Sequence, residues 1–126
     1  DAYMVIAGAP EPSATIEDLA RCALEMRSAA ARVSLGPATT LRMRFGMDAG
    51  PLVAGVIGES RLLYDVYGDT VNTASRMESN GVPDEIQITE GVATSLSDAF
   101  VVVERGVVEI KGKGLVRTFF LRDNDD

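Results

Sequence analysis

Histidine is absent from this chain, and cysteine occurs once, as Cys22. The absence of histidine excludes His-based catalytic triads, His-based zinc sites and imidazole acid–base catalysis. A single cysteine excludes an intrachain disulfide and a thiolate metal site within one chain, and it favours a reducing compartment. Any metal must therefore be held by oxygen ligands, which leaves magnesium, manganese and calcium as candidates.

Long apolar runs and an excess of positive charge are also lacking. No apolar run approaches the roughly 20 residues that a membrane-spanning helix needs, and the first residues do not have the pattern of a signal peptide. Lysine and arginine number 12 against 19 acidic residues, for a net charge of −7. This charge argues against nucleic-acid binding, which relies on contacts between cations and phosphates. We expect a soluble cytoplasmic domain that itself contacts neither nucleic acid nor a membrane.

The chain has the size of one domain. Its 126 residues are 46% hydrophobic, enough for a single core. We assign residues 1–122 to this domain and expect the acidic tail, 123–126, to be disordered. Because the chain opens abruptly in an apolar run, we expect it to be cut from a larger unit.

The first half of the chain is predicted to contain two strands and a helix. Residues 1–8 and 41–48 are predicted strands, the second from its period-two alternation. Between them, apolar residues at spacings of three and four predict a helix that starts near Thr15 and Asp18 and stops at Gly36 and Pro37. The helical stripe consists of Ile16, Leu19, Ala23, Met26 and Ala30.

The second half alternates strands and helices in an α/β or α+β order. A short apolar run over 62–67 ends at Gly68. The later predicted elements are a helix over 69–79 capped by Asp69, a strand over 85–89, a short helix over 91–98, a hairpin over 100–114 and a last strand over 116–121.

Asn72 and Arg76 are the first candidate site residues. They are four apart on the helix over 69–79, so both side chains leave the same face. A carboxamide and a guanidinium there can donate hydrogen bonds to ribose and phosphoryl oxygens, as a phosphoryl-transfer site requires. Spacing alone favours the simpler interpretation, a solvated helix face.

Four further residues are ambiguous when taken singly. Asp65 can accept a hydrogen bond from an exocyclic amine, although a lone Asp near a turn is usually a cap. Lys111 and Lys113 alternate with glycines in a mobile basic loop that could close on phosphates, or that simply keeps the surface polar. Arg44 faces away from the apolar side of its strand.

The order of the motifs is far more specific than any one of them. The stretches DAYM, RFG, GPLVAGVIG, YDVYGDTVNTASRMES, IQITE, ERGVVEIKGKG and RTFFL resemble the second half of class III adenylyl and guanylyl cyclases. The resemblance covers essentially the whole chain. It implies an α+β fold with the ferredoxin-like, palm-type βαββαβ core of that family, here lacking its first strand or strands and first helix.

The resemblance also assigns residues to the metal and the phosphates. Asp1 matches the second of the family's two metal-binding aspartates. Arg44 matches an arginine that touches the terminal phosphates, and Lys111 matches the lysine that binds the triphosphate. The implied cofactor is Mg²⁺ or Mn²⁺, two ions per site.

The remaining assignments concern the nucleoside and the reacting phosphorus. Asp65 matches the residue that pairs with the adenine amine, where guanylyl cyclases usually carry cysteine. Asn72 matches the asparagine that orients the ribose, and Arg76 matches the arginine that stabilises the pentavalent phosphorus. The resemblance therefore implies an adenylate cyclase that converts ATP to 3′,5′-cyclic AMP and pyrophosphate.

The resemblance further implies a head-to-tail homodimer with composite sites. Asp1 and Arg44 would serve one site while Asp65, Asn72, Arg76 and Lys111 serve the other. The family's first metal aspartate and its adenine-contacting lysine precede the matched stretch, so we expect this piece alone to be inactive. We leave open a membrane-anchored parent protein. The alternatives are a guanylate cyclase and a non-catalytic nucleotide-binding or dimerisation module.

Overall fold

The computed structural model describes residues 3–8, 14–50, 53–57 and 63–124, with the backbone alone for 53–57 and 63–67. Asp1 and the last two residues of the acidic tail lie outside this part of the chain. The helices are α1 (Ile16–Ala31), α2 (Asp69–Ser79) and α3 (Glu90–Ser95). The strands are β1 (Ser34–Gly36), β2 (Thr39–Thr40), β3 (Phe45–Met47), β4 (Val53–Ile57), β5 (Leu63–Tyr67), β6 (Ile86–Thr89), β7 (Val101–Ile110) and β8 (Gly114–Arg122).

The central sheet has four strands in the order β3-β6-β8-β7. β3 and β6 are parallel, whereas β8 pairs antiparallel with both β6 and β7. Two separate antiparallel pairs, β1-β2 and β4-β5, complete the described strands. This combination of helices with a mixed sheet confirms the α+β prediction. Within the described ranges, no helix has both the length and the apolar character needed to cross a membrane.

The core lies between the central sheet and the helices. All four residues of β6 are buried, as expected for an interior strand covered on both faces. The buried apolar side chains of the core cluster are Ala20, Met47, Ile86, Ile88, Val92 and Leu121.

Helix α1 begins where its local signals predict. The Thr15 side chain accepts from the Asp18 backbone N–H at 3.1 Å, and the Asp18 carboxylate accepts from the Thr15 N–H at 2.9 Å. This is a complete capping box. The helix ends at Ala31 rather than at Gly36, so the predicted stop was wrong. Gly36, with a φ of 150°, belongs instead to the β1-β2 hairpin.

Two predicted strands were wrong in extent. Residues 3–8 form no strand, because none of the described strands pairs with them, and Tyr3 is 80% exposed. In the stretch 41–48, only Phe45–Met47 pairs with β6. The predicted alternation still holds there, since Leu41 and Met43 are half-buried and Arg44 is exposed.

The predicted hairpin over 100–114 was also wrong. Val101–Ile110 is a single strand with a bulge between Glu104 and Gly106, and its true hairpin partner is β8. Gly106 has a φ of 124° and provides the bulge instead of a turn. The turn lies at residues 111–113. The last predicted strand, over 116–121, is confirmed within β8.

Candidate active site

Helix α2 carries the two central candidates and directs one face into the core. Its N-cap residue is Gly68, with a φ of 133° and no side-chain cap. Asp69 is therefore the first helical residue rather than the cap, which corrects the sequence prediction. Thr70, Thr73 and Met77 form the buried face. A conformation of this kind favours glycine, so Gly68 lets β5 turn directly into the helix.

Asn72 and Arg76 lie on one face of α2, as predicted from their spacing, and this face differs from the buried one. Asn72 is exposed and Arg76 is half-buried. Among the residues that the structure describes, neither side chain has a hydrogen-bond or ion-pair partner. A half-buried guanidinium without a protein partner is costly unless a ligand or water satisfies it. The face is therefore suited to binding an anionic, hydrogen-bond-accepting ligand.

Gly46 sets the distance between α2 and the sheet. A Cβ on this residue would lie 2.1 Å from the Glu78 nitrogen and 2.4 Å from the Ala74 carbonyl oxygen. Both are backbone atoms of the helix and cannot rotate away. Only glycine allows β3 to approach α2 this closely, so this residue of the RFG motif places the helix.

The turn between β7 and β8 lies against the start of α2. The Lys113 ammonium donates to Oδ1 of Asp69 at 2.6 Å. The Lys113 backbone N–H also donates to the Ile110 carbonyl at 2.9 Å, which closes a tight turn. Lys111 is exposed and pairs with no described residue. The structure thus brings the Lys111 turn to the end of the helix nearer Asn72.

Arg44 lies at the other end of α2. Its Nε is 3.0 Å from Oε2 of Glu78, in the last turn of the helix. Asp69 and Glu78 are separated by about 14 Å along the helix axis. The described contacts therefore do not bring Arg44 to the Lys113 side of the same helix.

Asp65 is placed through its backbone. It pairs with Gly55 in the middle of the β4-β5 hairpin, three residues before Gly68. The backbone thus carries Asp65 on the strand that leads directly into α2.

No metal site is formed by the described residues themselves. Over 3–8, 14–50 and 68–124, where side chains are described, no group of three or more His, Cys, Asp or Glu side chains is positioned to hold an ion. Asp48, for example, accepts from the Thr89 hydroxyl at 2.8 Å. Asp1, the predicted ligand, lies outside the described residues.

Sequence reasoning did not assign Gln87 and Arg105, although both contact α2. Gln87 is fully buried on β6 and donates to the Met77 carbonyl. Arg105, at the β7 bulge, donates to the Asn80 carbonyl. They belong to the stretches IQITE and ERGVVEIKGKG, which carry the family resemblance but no assigned role for these two residues.

Comparison with known proteins supports the same family. The model described as the adenylate and guanylate cyclase catalytic domain matches residues 1–123. The chain is 44% identical over 122 residues to an adenylate cyclase of Mycobacterium bovis, covering 96% of this chain and 28% of that protein. It is 42% identical over 128 residues to guanylate cyclase soluble subunit beta-2 of Rattus norvegicus, covering 98% of this chain and 19% of that protein. The chain thus spans less than a third of either relative.

Solved structures agree. The guanylate cyclase domain of RhGC from Catenaria anguillulae, in complex with GTP, superposes with a TM-score of 0.85 at 30% identity, covering 93% of this chain and 65% of that one. The adenylyl cyclase CyaB from P. aeruginosa has a TM-score of 0.70 at 22% identity, covering 94% and 65%, and shows the fold alone. This chain belongs to the class III adenylate and guanylate cyclase catalytic-domain family.

Proposed function

We propose that the protein containing this chain is an adenylate cyclase that converts ATP to 3′,5′-cyclic AMP and pyrophosphate. The observation that carries the choice of ATP is Asp65, on the strand that leads into α2. A carboxylate accepts a hydrogen bond from the exocyclic amine of adenine, and guanine presents a carbonyl oxygen at that position. The 44% identical mycobacterial relative is itself named adenylate cyclase.

Asn72 and Arg76 would act on the ribose and the α-phosphoryl group. The ribose 3′ oxygen attacks the α-phosphorus, the bond to pyrophosphate breaks, and the 3′ hydroxyl proton is released. Asn72 would hold the ribose in line for this attack. Arg76, which has no partner within the described part of the chain, would donate to the phosphoryl oxygens as charge develops on them.

Lys111 and Arg44 would both bind phosphates, but in different sites. The Lys111 turn contacts the start of α2, whereas Arg44 pairs with Glu78 at its end. This separation supports a head-to-tail homodimer in which Asp1 and Arg44 serve one site and Asp65, Asn72, Arg76 and Lys111 serve the other. Release of Arg44 from Glu78 would then accompany phosphate binding.

The metal assignment rests on Asp1 and the chemistry of the family. We propose that Asp1 is one ligand of two Mg²⁺ or Mn²⁺ ions, which when bound neutralise charge on the triphosphate and the reacting oxygens. The chain has no histidine, so oxygen ligands of this kind are the consistent choice.

The base assignment is tested by Asp65→Cys in the full-length protein. The variant should lose kcat/KM for ATP by about 10- to 100-fold, the equivalent of one hydrogen bond to a charged group, while kcat/KM for GTP stays equal or rises. Asp65→Asn serves as the matched isosteric control, since its amide can still accept a hydrogen bond. An unchanged ATP-to-GTP ratio in Asp65→Cys would contradict the role of Asp65.

A guanylate cyclase is the second candidate. It is favoured by the 42% identical relative named as a guanylate cyclase subunit and by the GTP complex of the RhGC domain. A third solved relative, the catalytic core of a rhodopsin-guanylyl cyclase with converted specificity, is in complex with ATPαS at 31% identity, a TM-score of 0.84 and coverage of 94% and 65%. One scaffold can therefore accept either nucleotide, and we assign the choice in this chain to Asp65.

A further inference from the structure

We propose that Gln87 and Arg105 are positioning residues for the cyclase reaction. They hold the last turn of α2 and, through it, Arg76. This inference rests on the proposed role of Arg76 at the phosphorus, and it applies equally to ATP and GTP as substrate.

Gln87 joins the sheet to the helix from a fully buried position on β6. Its Nε2 donates to the Met77 carbonyl at 2.8 Å, and its Oε1 accepts from Nη1 of Arg105 at 2.5 Å. Met77 is the residue that follows Arg76. A methionine of similar length would fill the same space but make no hydrogen bonds. The Gln87 amide therefore orients the Met77 carbonyl and Arg105 in addition to filling the core.

Arg105 reaches the same turn from the opposite strand. Its Nη1 also donates to the Asn80 carbonyl at 2.7 Å, and its guanidinium carbon lies 5.6 Å from the centre of the Phe120 ring. The Met77 and Asn80 carbonyls are among those that a helix leaves without an intrahelical partner at its C-terminus. Gln87 and Arg105 therefore act together as a cap supplied by the sheet.

The bulge in β7 explains how Arg105 can point at α2. Glu104 pairs with Phe119 and Gly106 pairs with Thr118, so Arg105 is the extra residue between two ladder positions. The Thr118 hydroxyl donates to the Gly106 carbonyl at 2.9 Å and stabilises the bulge. A bulge re-aims a side chain, which is a recurrent device beside active sites.

Asn80 links the carbonyl held by Arg105 to the backbone of Arg76. Its backbone N–H and its side-chain Nδ2 donate to the Arg76 carbonyl at 2.9 and 3.0 Å. The carbonyls of Arg76, Met77 and Asn80 are thus all held in one network. A guanidinium that must meet a developing charge depends on such support, because a displacement of about 1 Å can cost about 100-fold in rate.

The test compares Gln87→Met, Arg105→Ala and Arg105→Lys in the full-length protein. Gln87→Met and Arg105→Ala should lower kcat by about 10- to 100-fold with little change in KM. Arg105→Lys should recover part of that loss, because an ammonium can still donate to Gln87 and Asn80. Thermal unfolding of each variant identifies loss of the fold, and the exposed Arg105 variants keep the test valid if Gln87→Met does not fold.

Arg122→Ala is the matched control. Arg122 also lies 5.6 Å from the Phe120 ring, and its guanidinium pairs with Glu85, just before β6. Its replacement should leave kcat unchanged. An equal loss of kcat in Arg122→Ala and Arg105→Ala would overturn the proposal. It would show that any disturbance of this side of the sheet lowers kcat, with no specific role for Arg105.

A double-mutant cycle with Arg76→Ala separates positioning from structure. If Gln87 acts through Arg76, Gln87→Met should reduce kcat little further in the Arg76→Ala background. Full additivity would overturn this inference while leaving the proposed function intact. An unchanged kcat in Arg76→Ala alone would instead contradict the proposed role of Arg76, and this inference with it.

Discussion

The Lys113 ammonium lies 2.6 Å from Oδ1 of Asp69, and this contact fixes the β7-β8 turn against the first turn of α2. The turn contains Lys111, and the helix carries Asn72 and Arg76. The pair thus links the proposed triphosphate-binding lysine to the proposed ribose and phosphoryl groups. It is a surface pair, with 77% of the Asp69 side chain exposed, so its effect should be on position more than on stability.

Asp69→Asn should therefore raise KM for the nucleotide while leaving kcat nearly constant. Surface pairs contribute about 0.2–1 kcal/mol, so the expected change in KM is less than about fivefold. The difference in KM between the wild-type protein and Asp69→Asn should shrink at high salt, because salt screens exposed charges. Steady-state kinetics at two ionic strengths would measure both effects.

Asp84→Asn is the matched control for this pair. Asp84 pairs with Arg42 at 3.0 Å, and asparagine tolerates its φ of 67°. It has no link to the Lys111 turn, so KM should stay at the wild-type value. Equal changes in both variants would show that the Lys113 contact has no special role.

Replacing Gly46 should displace α2. The Cβ of Gly46→Ala would meet helix backbone at 2.1 Å, which forces β3 and α2 apart. We expect a loss of about 1–3 kcal/mol in the free energy of unfolding, typical of overpacking, together with a fall in kcat. Chemical denaturation and initial rates would check the two effects.

Gly91→Ala provides the comparison for Gly46→Ala. An added Cβ at Gly91 in α3 meets nothing within 4 Å. Alanine in a helix interior is about 0.5–1 kcal/mol better than glycine, so this variant should be equally or more stable and fully active. If Gly46→Ala were as stable and as active as Gly91→Ala, the close approach of β3 to α2 would not be what positions the helix.

Complementation tests the composite sites. Asp1→Ala and Arg76→Ala should each lose most of the activity when assayed alone, since each removes one half of every site. In a mixed dimer of the two, one site keeps both residues, so a one-to-one mixture should recover about a quarter of wild-type activity. No recovery in a mixture shown to form mixed dimers would mean that Asp1 and Arg76 serve the same site within one chain.

The capping box of α1 should contribute a pH-dependent stability. Hydrogen bonds from the Thr15 backbone and side chain, with the charge of Arg21, hold the pKa of Asp18 below its ordinary value of 3.8. Because the folded pKa is lowered, the stabilisation is complete above that value and is lost as pH falls through the folded pKa. Asp18→Asn should therefore flatten the acid limb of the stability profile. An unchanged acid limb would mean that the capping box does not contribute.

Local signals predicted the elements that local contacts determine. The Thr15 and Asp18 pair predicted the start of α1, and helical spacing correctly placed Asn72 and Arg76 on one face of α2. Strand pairing depends on residues that are distant in sequence. For this reason the strand predicted over residues 3–8 and the hairpin predicted over 100–114 were both wrong. A glycine in a strand signals a bulge as well as a turn, and Gly106 could not be assigned to either without β8.

The residues that support the candidate site could not be predicted from the sequence either, because their contacts join positions that are far apart in the chain. Arg105 and Gln87 are 18 positions apart, and their contact exists only because β8 lies between their strands. Lys113 and Asp69 are 44 positions apart. Motif resemblance supplied the residues proposed to face the ligand, whereas the residues proposed to hold them in place required the fold.

The most direct test of the account is a single assay in which the full-length protein meets equal concentrations of ATP and GTP with Mn²⁺ or Mg²⁺. We expect cyclic AMP as the main product, and we expect Arg76→Ala to lower the rate of its formation by about 100- to 1,000-fold, because a transition-state donor is lost. Cyclic GMP as the main product would contradict the choice of ATP. The absence of both cyclic nucleotides would contradict the enzymatic function itself.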